Sequence, residues 1–234
     1  WAFDILPHLD HSKKIALLRY SNSSALLGAE QLSQNGIDCV YIPKLPIADI
    51  TTEVAWLYTA IAKFIILERY SVYDLISEIP VEGEDTKRKV ATVSKYLHDI
   101  KSSIGEYESF KKYVITLAEY LNYLINHDEH LEKLFQTIND TSLHVAFEPE
   151  KYKHISITFH SSKGLEFDQV IIFAEDYHLN DMASIYNHYV AVTRAKSKLI
   201  IVKVDNLNAN LFERNLSKIL ELSNLSIEDL VEIY

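Results

Sequence analysis

Short apolar runs recur along the chain and constrain its fold more than any other feature. They occupy residues 15–18, 38–42, 154–159, 169–175 and 198–204, and segments with helical spacing separate most of them. Runs that are apolar at almost every residue are typical of strands whose two faces are both covered. Because helices alternate with these runs, the sequence predicts an α/β fold, a parallel sheet with helices on both faces.

A polar, helical stretch interrupts the predicted sheet in sequence. From residue 71 to 145 the pattern indicates helices and no strand. One stripe of this stretch carries apolar side chains at helical spacing: Phe110, Val114, Leu117, Leu121 and Leu124. We therefore expect a discontinuous core domain of residues 1–70 and 146–234 with a small helical insertion at 71–145. The chain is expected to close with two helices, over 211–222 and 226–234.

Composition excludes several classes of protein. The only cysteine, Cys39, cannot form an internal disulfide, which fits a reducing, cytoplasmic compartment. No apolar run reaches the roughly 18 residues of a membrane span, and no leader is visible, so no membrane partner is expected. Because the first residue is Trp1 and the only methionine is Met182, we expect a fragment of a longer protein.

The charge of the chain argues against a protein that coats nucleic acid through a bulk positive field. The net charge is −10 at pH 7. Residues 151–203 nevertheless contain seven Lys and Arg against five Asp and Glu. A locally basic surface on an acidic body therefore remains open.

A polar group of residues stands between two of the apolar runs, in the stretch ITFHSSKGLEFDQVIIF at 157–173. It contains Gly164, one of only 5 glycines in the chain. A loop that leaves the carboxyl end of a parallel strand is where open α/β sheets bind ligands. Serine hydroxyls, the Lys163 charge and an unobstructed glycine backbone suit a phosphate there. The alternative is a plain glycine-assisted turn between two strands.

The same stretch resembles motif V of the UvrD/Rep/PcrA helicases, T-x-H-x-x-K-G-L-E-(F/W)-x-x-V. The matching residues are Thr158, His160, Lys163, Gly164, Leu165, Glu166, Phe167 and Val170. YVAVTRAKSKLIIV, at 189–202, is similar to motif VI of that family through Tyr189, Val190, Ala191, Thr193, Arg194 and Ala195. The two motifs stand in the family's order.

A weaker similarity lies near the N-terminus. IALLRYSNSS resembles the family's strand that ends in Tyr-Arg-(Thr/Ser)-Asn, with Asn22 at the family asparagine. Arg19 and Tyr20 appear in swapped order, and Leu26 replaces the arginine that usually follows.

The resemblance implies the second RecA-like domain of a two-domain motor. ATP and Mg²⁺ would bind between it and an N-terminal RecA-like domain of the same protein, with single-stranded DNA as the other partner and movement from 3′ to 5′. The first domain of this family carries the phosphate loop G-x-x-x-x-G-K-[ST], which is missing from this sequence. The chain alone is therefore not expected to hydrolyse ATP.

The resemblance also implies roles for individual residues. Arg194 matches the arginine finger that reaches the γ-phosphate, and its alternative role is that of an arginine at a helix end. Glu166 matches the ribose-binding glutamate, with Lys163 and Gly164 in the same nucleotide-binding loop. The positions matched to DNA contacts are Thr158, His160, Ser161 and Asn22. Glu166 and His160 each have a structural alternative, an exposed turn residue and a structural hydrogen-bonding histidine.

Two other functions stay open on the sequence. One is a catalytically inactive module, derived from a helicase domain, that binds nucleic acid or protein; the acidic charge and the replaced arginine favour it. The other is a helicase–nuclease of the RecB/AddA type, which would need a metal-binding nuclease domain downstream. No metal ligands are predicted in this chain, and Arg194 favours the motor.

Overall fold

Five parallel strands form one sheet in the computed structural model, which describes residues 1–79, 86–227 and 229. The strands are β1 (Ile15–Arg19), β2 (Val40–Tyr41), β3 (His154–Thr158), β4 (Phe167–Phe173) and β5 (Ala195–Val202). Their order across the sheet is β2-β3-β1-β4-β5, and every neighbouring pair is parallel. All five residues of the central strand β1 are buried, so both of its faces are covered. The predicted α/β fold with a parallel sheet is confirmed.

Helices occupy most of the remaining described residues. They are α1 (Ala2–Ile5), α2 (Asn22–Gln34), α3 (Ala55–Ile66), α4 (Val72–Ser77), α5 (Thr86–Ser102), α6 (Tyr107–Tyr120), α7 (Asp128–Asn139), α8 (Met182–Val192) and α9 (Leu207–Glu221). In the part of the chain that the structure describes, none of them has the length and apolar character to cross a membrane. The helix expected over 226–234 falls largely outside the described residues.

The chain divides into two compact units. The first comprises Trp1–Pro43 and Pro149–Tyr234 and contains the sheet, and the second comprises Lys44–Glu148. Buried side chains from α3 to α7 form the core of the second unit, among them Leu57, Leu97 and Leu131. The helical unit begins before residue 71, where the insertion was expected, because α3 contributes its apolar side chains to this core.

One residue of the predicted apolar stripe in the helical unit lies outside the core. Leu124 is 70% exposed, whereas the other four stripe residues are buried. Helix α6 ends at Tyr120, and Asn122 adopts a left-handed backbone with a φ of 63°. The chain therefore leaves the helix before its periodicity reaches Leu124.

Helix α2 packs unusually close to the sheet. A Cβ atom on Gly28 would lie 2.3 Å from Cδ2 of Leu17, a fully buried residue of β1. The hydroxyl of Ser156 in β3 donates a 2.6 Å hydrogen bond to the carbonyl oxygen of Ala25. The absence of a side chain at Gly28 and the small Ser156 together let α2 lie directly over β1 and β3.

Replacing Gly28 with valine should lower the free energy of unfolding by about 1–3 kcal/mol, because the new side chain overpacks the contact with Leu17. The measurement is denaturant unfolding of the full-length protein. Gly105→Val is the matched control, since a Cβ at Gly105 meets no atom within 4 Å. Equal stability of the two variants would contradict close packing of α2.

Candidate functional site

Residues 159–166 connect β3 to β4 and run from one edge of the sheet to the other. Strand β3 ends at Thr158, which pairs with Arg19 at the carboxyl end of β1. Strand β4 starts at Phe167, which pairs with Ala195 at the start of β5. The six residue steps from Phe167 to the end of β4 span about 20 Å. We call the side of the sheet where the strands end the carboxyl edge, and the side where they begin the amino edge.

The residues matched to DNA contacts lie together at the carboxyl edge. Asn22 is exposed and is the first residue of α2, three positions after β1 ends. His160 is exposed, and its ring centroid lies 4.0 Å from that of Phe159. Thr158 is buried, and its hydroxyl donates to the Ser161 hydroxyl at 3.0 Å and accepts from the Ser161 backbone N–H at 3.3 Å. Thr158 therefore shapes the loop, while Asn22 and His160 face solvent.

Arg194 and Glu166 lie at the opposite, amino edge. The Arg194 carbonyl oxygen accepts a hydrogen bond of 2.9 Å from the Phe167 backbone N–H, next to Glu166. The Arg194 guanidinium donates from Nε to the carbonyl oxygen of Val190 at 3.0 Å, and from Nη1 to that of Leu165 at 3.2 Å. These bonds join the two motif-bearing segments at one place.

The guanidinium of Arg194 keeps donors for a further partner. Besides the two carbonyl bonds, Nη2 donates to the Thr193 hydroxyl at 3.1 Å. A guanidinium has five N–H donors. Within the described residues, these bonds leave one N–H on each of Nη1 and Nη2, the pair that binds two oxygens of a phosphate. The bond to the Val190 carbonyl also suits an arginine at a helix end, so the geometry accommodates both roles.

Among the described residues, Glu166 is held only by a contact at the surface. Its carboxylate lies 3.3 Å from Nζ of Lys196, with side-chain exposures of 61% for Glu166 and 55% for Lys196. Exposed ion pairs of this kind contribute about 0–1 kcal/mol. The carboxylate can therefore exchange its lysine for a ligand hydroxyl at little cost.

Gly164 and Lys163 lie on the segment between the two edges. Gly164 has a φ of +83°, a left-handed backbone that glycine adopts without strain. Lys163 is exposed, and the neighbouring Ser162 is fully buried, with its hydroxyl bonded to the Phe159 carbonyl oxygen at 2.7 Å. The segment is thus anchored by Ser162, while Lys163 is open to solvent.

A buried ion-pair cluster at the carboxyl edge was not predicted from the sequence. Arg19 donates from Nε to Asp176 at 2.7 Å and from Nη2 to Glu175 at 2.8 Å. Its guanidinium also lies 3.8 Å from the ring centroid of Phe173. Glu175 in turn accepts from the side chain of Asn206, which caps α9. The signal in the sequence was the acidic pair Glu175-Asp176 directly after an apolar strand.

Metal binding and cysteine chemistry are the two other possibilities that the described residues allow to be examined. No three His, Cys, Asp or Glu side chains among them are placed to hold a metal ion. Burial raises the pKa of the Cys39 thiol to about 12, with a smaller contribution from the Asp38 charge. A protonated, buried thiol is a poor nucleophile.

Comparison with known proteins agrees with the motif assignment. Residues 155–202 match the model of the UvrD-like helicase C-terminal domain. The chain is also 30% identical over 229 residues to Gabija protein GajB of Bacillus cereus (strain VD045), an alignment that covers 95% of this chain. The chain spans 45% of the length of that relative. The residues that this model matches, 155–202, include both motif segments and the site at the amino edge, so this part of the chain is similar to a UvrD-like helicase C-terminal domain.

Proposed function

We propose that this chain is the C-terminal motor domain of an ATP-dependent DNA helicase or translocase. The supporting observation is the separation of two groups of residues. Arg194 and Glu166 lie at the amino edge of the sheet, and Asn22 and His160 lie at the carboxyl edge. A motor needs this division, because nucleotide and nucleic acid must bind at the same time to different surfaces of one domain.

Arg194 is the proposed arginine finger. Its two remaining N–H donors would contact the γ-phosphate of ATP held by an N-terminal RecA-like domain of the same protein. Neutralising charge in the transition state of phosphoryl transfer contributes a rate factor on the order of 10³ to 10⁵. Glu166 would accept hydrogen bonds from the ribose hydroxyls after releasing Lys196, and Lys163 would reach a phosphate.

Magnesium is expected to arrive with the nucleotide. This ion is commonly bound through substrate phosphates and one or two carboxylates rather than an all-protein cage. The described residues offer no group of three ligands for it. The N-terminal domain would then supply the protein ligands.

The segment 159–166 would couple the two edges. The Leu165 carbonyl oxygen binds Arg194 at one end, and Thr158 holds Ser161 at the other. A shift of Arg194 towards a phosphate would pull on the Leu165 carbonyl and move the loop that carries His160. Closure and reopening of the interdomain cleft would thus alter the grip on single-stranded DNA.

The whole protein would move from 3′ to 5′ along one strand. This direction follows from the family resemblance alone. The similarity to GajB covers 95% of the chain and so extends into the helical unit Lys44–Glu148. A 3′-to-5′ motor displaces streptavidin from a 5′-biotinylated oligonucleotide. Displacement from the 3′ end instead would overturn the direction.

In the full-length protein, Arg194→Ala should lower DNA-stimulated ATP hydrolysis by a factor of about 10² or more, while ATP binding changes little, because the finger acts on the transition state. The measurement is steady-state ATPase activity with and without single-stranded DNA, alongside nucleotide affinity.

Arg214→Ala, which removes an exposed arginine of α9 in the same unit, is the matched control and should retain full turnover. Unchanged turnover in Arg194→Ala would make Arg194 a helix-end arginine. The inactive binding module would then be the better account of the chain.

A further inference from the structure

We propose that Tyr20 is a nucleobase-stacking residue that grips single-stranded DNA at the carboxyl edge. The inference rests on the proposed function and adds a contact to it. Tyr20 stands directly after β1 and is 56% exposed, which is unusual for a large aromatic side chain next to a buried strand. Stacking on an exposed aromatic ring is a sequence-tolerant way in which proteins hold unpaired bases.

Tyr20 belongs to a contiguous group of three aromatic rings. Its ring centroid lies 5.8 Å from that of Phe159, with an interplanar angle of 34°. The Phe159 centroid is 4.0 Å from that of His160, again at 34°. Phe159 is fully buried, whereas Tyr20 and His160 are both exposed. The group therefore places two exposed rings, Tyr20 and His160, on either side of a buried ring, where successive bases could stack.

The backbone of Tyr20 is held in place by the buried ion-pair cluster. Its N–H donates to Asp176 Oδ2 at 3.2 Å, and the same carboxylate binds Arg19. The Arg19 and Asp176 side chains are only 11% and 10% exposed. A side chain on a fixed backbone loses less conformational entropy when it stacks on a base.

The charges around Tyr20 favour a base over a phosphate. Tyr20 lines one side of a cleft of about 380 Å³ whose other walls include Glu175, Asp176 and Asp181. These carboxylates exceed the single positive charge of Arg19 and would repel the sugar–phosphate backbone. The backbone is therefore expected on the other side of Tyr20, near the uncharged residues Asn22 and Ser23 of α2.

Tyr20 also departs from the family pattern. With Asn22 placed at the family asparagine, Tyr20 occupies the position of the arginine in Tyr-Arg-(Thr/Ser)-Asn. The arginine of this chain stands one position earlier, as Arg19, and its guanidinium forms ion pairs with Glu175 and Asp176. The aromatic ring consequently stands at the exposed end of the strand.

The test measures binding of full-length protein, without nucleotide, to a fluorescent oligo(dT) and to an oligonucleotide of the same length made of abasic sites. Tyr20→Ala should weaken binding to oligo(dT) by a factor of about 5 to 100, the range that loss of one stacked base allows. Binding to the abasic oligonucleotide should stay within about twofold. Tyr20→Phe should keep the affinity of the wild type, because the ring remains.

Tyr186→Ala is the matched control, since Tyr186 is 57% exposed on α8 of the same unit, and it should leave both affinities unchanged. If wild type binds oligo(dT) and Tyr20→Ala binds equally well, the stacking role is overturned and the motor function stands. An equal loss on both oligonucleotides also overturns stacking. If wild type binds neither oligonucleotide, the inference and the proposed DNA motor both fail.

Discussion

The parallel pairing of β3 and β4 on either side of β1 is the constraint on which the functional arrangement depends. Since all three strands run in the same direction, the segment that leaves β3 at the carboxyl edge must reach the amino edge before β4 can start. A single stretch of eight residues, 159–166, therefore touches both edges of the sheet. Helix α2 begins three positions after β1 ends and so adds Asn22 to the first edge, and the pairing of β5 with β4 adds Arg194 to the second. The same register thus supports both parts of the proposed motor.

Two arginines, Arg19 and Arg194, differ in whether a carboxylate neutralises the guanidinium, and this difference separates a structural role from a ligand-binding role. Arg19 is buried against two carboxylates and an aromatic ring, so its charge is neutralised where it lies. It stabilises the end of β1 and orients Tyr20. Removing one partner of such a buried pair typically costs about 3–5 kcal/mol, which marks Arg19 as structural. Within the described residues, Arg194 bonds only to neutral oxygens, so its positive charge remains available to an anion. Its bonds orient the group without neutralising it, as a finger that acts across a cleft requires.

Much of the fold could be predicted from the sequence, because uninterrupted apolar runs are a strong sign of covered parallel strands. Thr158, Glu166 and Arg194 were assigned through the resemblance to the helicase motifs, and their roles stay predictions. Their division between two edges could not be predicted, because it depends on which strands pair and in which register. Leu124 was wrongly predicted to lie on the apolar stripe of a helix, because apolar residues continue at helical spacing in the sequence after the helix has ended near Asn122. The burial of Arg19 depends on Glu175 and Asp176, more than 150 residues away. The acidic pair is visible in the sequence, but nothing in the sequence indicates that Arg19 is its partner.

Hydrogen exchange of the full-length protein, followed by mass spectrometry, tests the two-edge account most directly. A non-hydrolysable ATP analogue with Mg²⁺ should slow exchange in peptides that cover 163–167 and 193–197. Oligo(dT) should instead slow exchange in peptides that cover 20–24 and 158–161. Because the segment 159–166 would couple the two edges, a weaker change at the opposite edge is compatible with the account. Strongest protection by nucleotide at 158–161, or strongest protection by oligo(dT) at 193–197, would contradict it.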